Sequence, residues 1–141
     1  MSLFQDSVYV IMEVYKIGRE LLSMIDIKRG NVYVVDLNEI NPDFCGFYPV
    51  LILQNDKGNK YCDTTFGVPI DVSERRGRAY IPIKEKGLHT GSKILCNNVM
   101  SFERKRVKSF LFTLDEKRLK RVDELLIRNL GLDSLPRQNF L

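Results

Sequence analysis

Residues 46–56, GFYPVLILQND, decide how the rest of the chain is read. A glycine and a proline bracket two aromatics, Phe47 and Tyr48, and an unbroken apolar run follows, Val50-Leu51-Ile52-Leu53. A short run of this kind, closed by polar turn formers, is the pattern of a strand buried on both faces. Such a strand is central, so other strands must pair beside it. Asp56-Lys57-Gly58-Asn59 then reads as a turn. Tyr48 reads as a residue held at the rim of the sheet, with Phe47 buried beside it.

Upstream, VYVVDL (Val32 to Leu37) reads as the first strand, followed by a polar loop to Gly46. Downstream, TTFGVPI (Thr64 to Ile70) is a third strand closed by Asp71; Gly67 predicts a bulge or a close backbone approach, and Pro69 an edge or a strand end. SERRGR (Ser73 to Arg78) is a basic loop. AYIPI (Ala79 to Ile83) is a strand that Pro82 assigns to an edge, KILC (Lys93 to Cys96) a fifth strand, SFERKR (Ser101 to Arg106) a short basic helix or turn, and VKSFLF (Val107 to Phe112) a further strand. Thr113-Leu114-Asp115-Glu116 matches a capping box with Thr113 as the cap. The helix behind it carries Leu119, Val122, Leu125, Leu126 and Leu130 on one side and stops at Gly131.

Residues 4–25 predict another helix, with two apolar rows to bury. The resulting fold class is mainly β with helices: short strands around one central strand, closed into a small barrel that protects its edges, with a helix at each end. The domain reading is an N-terminal helical extension (1–26), a barrel domain (27–132) and a C-terminal tail (133–141).

Composition narrows the function. The 141 residues suit one domain, and an apolar fraction of 44% supplies one real core. Lys and Arg number 22 against 18 acidic residues, a net charge of +4 with pI about 9.0, which permits a nucleic acid or an acidic protein as partner. Three dispersed cysteines and one histidine, His89, argue against a zinc site or a disulfide framework and for a reducing cytoplasm. No cofactor or metal is expected. The charges Glu13, Lys16, Arg19 and Glu20 interrupt the N-terminal apolar stretch, so neither a signal peptide nor a membrane span is expected. The cysteines are most simply small buried residues.

From Ile27 to Leu132 the chain resembles the MazF/PemK toxins of type II toxin–antitoxin modules. The stretches that carry the resemblance are IKRGNVYVVDL, YPVLILQNDKGNKY, TTFGVPI, KGLHTGSKIL and FTLDEKRLKRVDELLIRNLGL. The resemblance implies an SH3-like barrel of the MazF/PemK/CcdB type, a homodimer, and an antitoxin that wraps over the RNA groove. It also implies metal-independent cleavage of single-stranded RNA, in which the substrate's 2′-hydroxyl attacks the neighbouring phosphorus. That chemistry needs a base, an acid, and donors or positive charge for the phosphorane.

The family commonly supplies an arginine directly before the Pro-Val-Leu of the second strand and a threonine at the end of the third. Those positions here are Tyr48 and Asp71. The arginine and aspartate that some members use on a later strand fall on Leu95 and Asn97. A guanidinium is always charged and forks onto phosphate, whereas a tyrosine hydroxyl is neutral and donates once. Cleavage is therefore expected to be weakened or lost. In a rewired site Asp71 is the base, Tyr48 the acid or a donor, and a loop arginine the cation.

The candidate RNA contacts are Lys28, Arg29, Gln54, Asn55, Arg75, Arg76 and Arg78. Turn formation accounts for Asn55 equally well, and a charged strand entrance for Lys28 and Arg29. The alternative is a non-catalytic protein- or DNA-binding module on the same barrel.

Overall fold

The computed structural model describes residues 25–134, together with residues 10, 11, 13 and 14. Its elements are β1 (Asn31–Asp36), β2 (Phe47–Ile52), α1 (Asp56–Tyr61), β3 (Thr64–Val72), β4 (Tyr80–Pro82), β5 (Ser92–Leu95), β6 (Met100–Glu103), β7 (Val107–Thr113) and α2 (Glu116–Asn129). The strands form one antiparallel sheet in the order β4-β5-β3-β2-β1-β7, with β6 also on β3. Among the described residues the ladders trace a path that ends at β4 and β7, with no ladder joining those two strands.

β2 lies between β1 and β3 and is buried on both faces, as its apolar run predicts. Alternation sends Val50 and Ile52 into a core with Tyr33, Val35, Leu95, Phe102 and Val107. Leu51 and Leu53 enter a second core with Val68, Ile70 and Ile94, which Leu114, Val122 and Leu125 of the α2 segment cover.

β3 is longer than predicted, running through Asp71 to Val72, because it serves three partners. Its first half pairs with β6, its middle with β2, and its last three residues with β5. Gly67 stands where β2 and β6 both reach β3. A Cβ there would lie 2.1 Å from the Leu51 carbonyl oxygen, so the close backbone approach is real. Pro69 is neither at an edge nor at a strand end. It pairs with Val50 and falls between the last β6 partner, Gly67, and the first β5 partner, Ile70, where a missing N–H is tolerated. Pro82 does lie on an edge strand.

Other local readings are corrected. Asp56–Asn59 is not a turn but the start of α1. Asn55 caps it by accepting from the Gly58 N–H at 2.7 Å. Asn59, 1% exposed, donates to the Gln54 carbonyl (2.8 Å) and accepts from the Thr65 hydroxyl (2.7 Å). SFERKR contributes to β6 before a single 3-10 turn, Arg104–Arg106. The cap of α2 is Asp115, which accepts from the Arg118 N–H at 3.0 Å; Thr113 still belongs to β7 and donates to Asn31 Oδ1 at 2.7 Å. Gly131, at φ +73°, ends the helix as predicted. Phe47 is 62% exposed rather than buried. Cys45 and Cys62 are exposed, and only Cys96 is buried.

The expected N-terminal helix lies outside the described residues apart from four of its positions, and the tail beyond Ser134 lies outside them altogether.

Candidate functional site

Strand register assembles the site. The β2–β3 ladder ends where Val50 stands opposite Pro69, and Tyr48 and Asp71 each lie two residues beyond that pair on neighbouring strands. The β3–β5 ladder sets Asp71 opposite Lys93, and the β1–β2 ladder sets Tyr48 opposite Val35. Residues opposite one another in antiparallel strands share a face. Asp71 and Lys93 therefore form a row on the face of Leu95, and Tyr48, on the face of Val35 and Val50, flanks that row at the end where the core opens to solvent. Tyr48 is half-buried, its ring edge-on to Phe44 at 5.4 Å. Asp71 is partly exposed and accepts from the Val72 N–H at 2.8 Å.

The basic loop hangs over this row. Lys93 Nζ donates to the Arg75 carbonyl at 2.6 Å, and the Arg75 N–H donates to Ser73 Oγ at 3.2 Å. Tyr80, opposite Leu95 in the β4–β5 ladder, has the Arg75 guanidinium at its hydroxyl and accepts from Asn97 Nδ2 at 3.4 Å. Arg75 first, and then Asn97, hold the Tyr80 hydroxyl below the ordinary tyrosine pKa by favouring the phenolate. Asn97 Oδ1 accepts from Asn129 Nδ2 at 3.3 Å, which ties the network to the last residue of α2. Arg76 and Arg78 are exposed, with no side-chain partner among the described residues.

The other sequence candidates lie elsewhere. Lys28, Arg29, Gln54 and Asn55 sit at the opposite end of β2, about 20 Å from Tyr48 at roughly 3.3 Å per strand residue. The Arg29 guanidinium pairs with Asp123 of α2, and its N–H donates to Asp56 Oδ1 at 2.7 Å. Lys28 Nζ is 3.5 Å from Asp26, and its N–H donates to the Tyr33 hydroxyl at 3.0 Å. Asn55 is occupied as the cap of α1. One surface thus holds Tyr48, Asp71 and the arginine loop, and it does not include the second group.

Sequence reasoning missed Lys93 and Tyr80. The signal for Lys93 was alternation, two positions from the core residue Leu95, whereas Tyr80 joins it only through the pairing that sets it opposite Leu95. Leu95 is buried in the core and Asn97 is exposed. His89 is exposed on the loop before β5. Among the described residues, no group of three or more His, Cys, Asp or Glu is placed to hold a metal ion, and no helix is long and apolar enough to cross a membrane.

The fold is one antiparallel sheet with a terminal helix over one of its two cores. Residues 28–130 match the family described as PemK-like, MazF-like toxin of type II toxin-antitoxin system, and the chain belongs to that family. Solved structures share the fold. A mycobacterial endoribonuclease is 19% identical, with a TM-score of 0.62 over 77% of this chain and 94% of its own. A mycobacterial endoribonuclease in complex with its cognate antitoxin is 21% identical, with a TM-score of 0.63 over 75% and 96%. MazF from Deinococcus radiodurans is 17% identical, with a TM-score of 0.64 over 74% and 96%.

Proposed function

We propose that this chain is a homodimeric cytoplasmic toxin of a toxin–antitoxin pair that binds single-stranded RNA on the surface of Tyr48, Asp71, Lys93 and the Arg75–Arg78 loop. It cleaves that RNA slowly, without metal, and a cognate antitoxin covers the same surface. The observation that supports this reading is the Asp71–Lys93 pair across the β3–β5 ladder, with Lys93 bonded to the Arg75 carbonyl. The family membership and the antitoxin-bound relative support it.

In this reading the Asp71 carboxylate takes the 2′-hydroxyl proton. The 2′-oxygen bonds to phosphorus while the bond from phosphorus to the 5′-oxygen breaks. Tyr48 gives its proton to that leaving oxygen, and Lys93 and Arg75 stabilise the phosphorane charge. The products are a 2′,3′-cyclic phosphate and a 5′-hydroxyl. Tyr48 stands where the resemblance places an arginine, and a neutral single donor stabilises that charge less than a forked guanidinium; losing one such donor costs on the order of a hundredfold or more in rate. The test is incubation of the purified protein with a long single-stranded RNA in EDTA, beside Asp71→Ala and Tyr48→Phe. Slow cleavage leaving cyclic-phosphate ends, abolished by Asp71→Ala, is the expected result. RNA bound and never cut would reduce the chain to a binding module.

A further inference from the structure

Three arginines share the 73–78 loop, and their surroundings differ. Arg75 is held at two backbone points, its carbonyl by Lys93 Nζ (2.6 Å) and its N–H by Ser73 Oγ (3.2 Å), and its guanidinium lies near the Tyr80 hydroxyl. Both Lys93 and Tyr80 belong to strands, Lys93 to β5 and Tyr80 to β4. Tyr80 is itself held by Asn97, which Asn129 holds in turn. Arg76 and Arg78 have no such partner among the described residues. A loop cation that must be ordered on binding loses side-chain entropy then, whereas one ordered beforehand does not.

We infer that Arg75 alone among the loop arginines is the preorganised phosphate contact of this site, and that Tyr80 and Lys93 are the positioning residues that hold it beside Asp71. This rests on the proposed RNA-binding role and names the cation of that site. Tyr80 accepts from neutral Asn97 and leaves the guanidinium its charge, so Arg75 keeps N–H groups to offer a phosphate oxygen. Lys93 works through the backbone, and its bond fixes the turn rather than neutralising the arginine. The arrangement adds a held guanidinium to the Lys93 ammonium on this surface.

The experiment is fluorescence-anisotropy titration of a labelled single-stranded RNA by the full chain across a series of salt concentrations. The proteins compared are wild type, Arg75→Ala, Arg76→Ala, Arg78→Ala, Tyr80→Phe and the Arg75→Ala/Tyr80→Phe double variant. Arg75→Ala is expected to weaken binding about tenfold and to lower the slope of log affinity against log salt by about 0.7, the value for one lost phosphate contact on a single strand. Arg76→Ala and Arg78→Ala are each expected to weaken binding less than about threefold. Tyr80→Phe, which keeps the ring and every charge, is expected to weaken wild-type binding several-fold at an unchanged salt slope. In the Arg75→Ala background it should cost nothing, because a residue that acts through Arg75 has no one left to position. Equal losses for the three arginines, or a Tyr80→Phe penalty that persists without Arg75, overturn the inference while leaving RNA binding intact. Wild-type protein that binds no RNA overturns the proposed function and this inference together.

Discussion

Asp71 and Lys93 face each other across the β3–β5 ladder, yet among the described residues no ion pair joins them. The Lys93 ammonium bonds the Arg75 carbonyl instead, and the Asp71 carboxylate accepts from the N–H of Val72. The carboxylate keeps lone pairs free to accept a proton, with positive charge close enough to hold an anionic substrate beside it.

Asp71→Asn separates these two effects. Removing the negative charge beside the scissile phosphate should strengthen RNA binding a few-fold. Removing the base should lower cleavage by about a hundredfold or more, the usual contribution of general-base catalysis. Anisotropy and single-turnover cleavage on the same RNA give the two numbers. Binding and cleavage falling together would show that Asp71 holds the fold or the substrate and is not the base.

Gly67 is a demand of backbone packing. A methyl group there would sit 2.1 Å from the Leu51 carbonyl oxygen, which belongs to the central strand and cannot swing away. Gly67→Ala should destabilise by about 3 kcal/mol, at the upper end of overpacking costs. Urea unfolding measures it, and a loss within error of zero would mean that the β2–β3 pairing relaxes.

The Arg29–Asp123 pair fastens α2 to the loop before β1. Both side chains are about a third exposed, at 30% and 37%, so solvent screens the attraction. A double-mutant cycle with Arg29→Ala and Asp123→Ala should return a coupling of about 0.5–1 kcal/mol, as for exposed pairs. RNA affinity should not follow Asp123→Ala, because this end of β2 is distant from Tyr48. If affinity does follow it, Arg29 belongs to the interface.

Asp115 sets an acid limit. The Arg118 side chain first, and then the Arg118 N–H, hold its carboxyl below the free value of 3.8. A folded pKa below the unfolded one means stabilisation that is full above 3.8 and lost as pH falls through the lowered folded value. Asp36 acts in the same direction, chiefly through the N–H of Asn38. Thermal melts between about pH 5 and pH 2 should show a shallower acid loss in Asp115→Asn than in wild type. Parallel curves would remove Asp115 from the acid response.

The cysteines should separate by burial. Cys45 and Cys62 are exposed, while burial raises the Cys96 thiol to about 11. A thiol reagent at neutral pH should label the first two in the native protein and Cys96 only after unfolding. Mass spectrometry of the labelled peptides checks this, and rapid native labelling of Cys96 would mean that the second core opens.

Periodicity and turn chemistry determined the outline of the fold from the chain alone. The run Val50 to Leu53 identified a doubly buried central strand, Gly67 a close backbone approach, Pro82 an edge, and Gly131 a helix end. Each of these signals is local: side-chain alternation, a missing Cβ, a missing N–H or a positive φ acts within a few residues. The partnerships were not legible. The capping box named Thr113, and the helix is capped by Asp115. The pairing of β7 with β1 keeps Thr113 in the strand and takes its hydroxyl to Asn31. SFERKR has the composition of a basic turn until β3 offers it a partner.

The candidate site divides in the same way. Tyr48 and Asp71 could be named from the sequence through the family resemblance, and the arginine loop from its charge. That Lys28, Arg29, Gln54 and Asn55 lie at the other end of β2, and that Lys93 and Tyr80 join Arg75, was decided by register. Register is a long-range property. It depends on which strands exchange hydrogen bonds across tens of residues, and no window of sequence contains both partners.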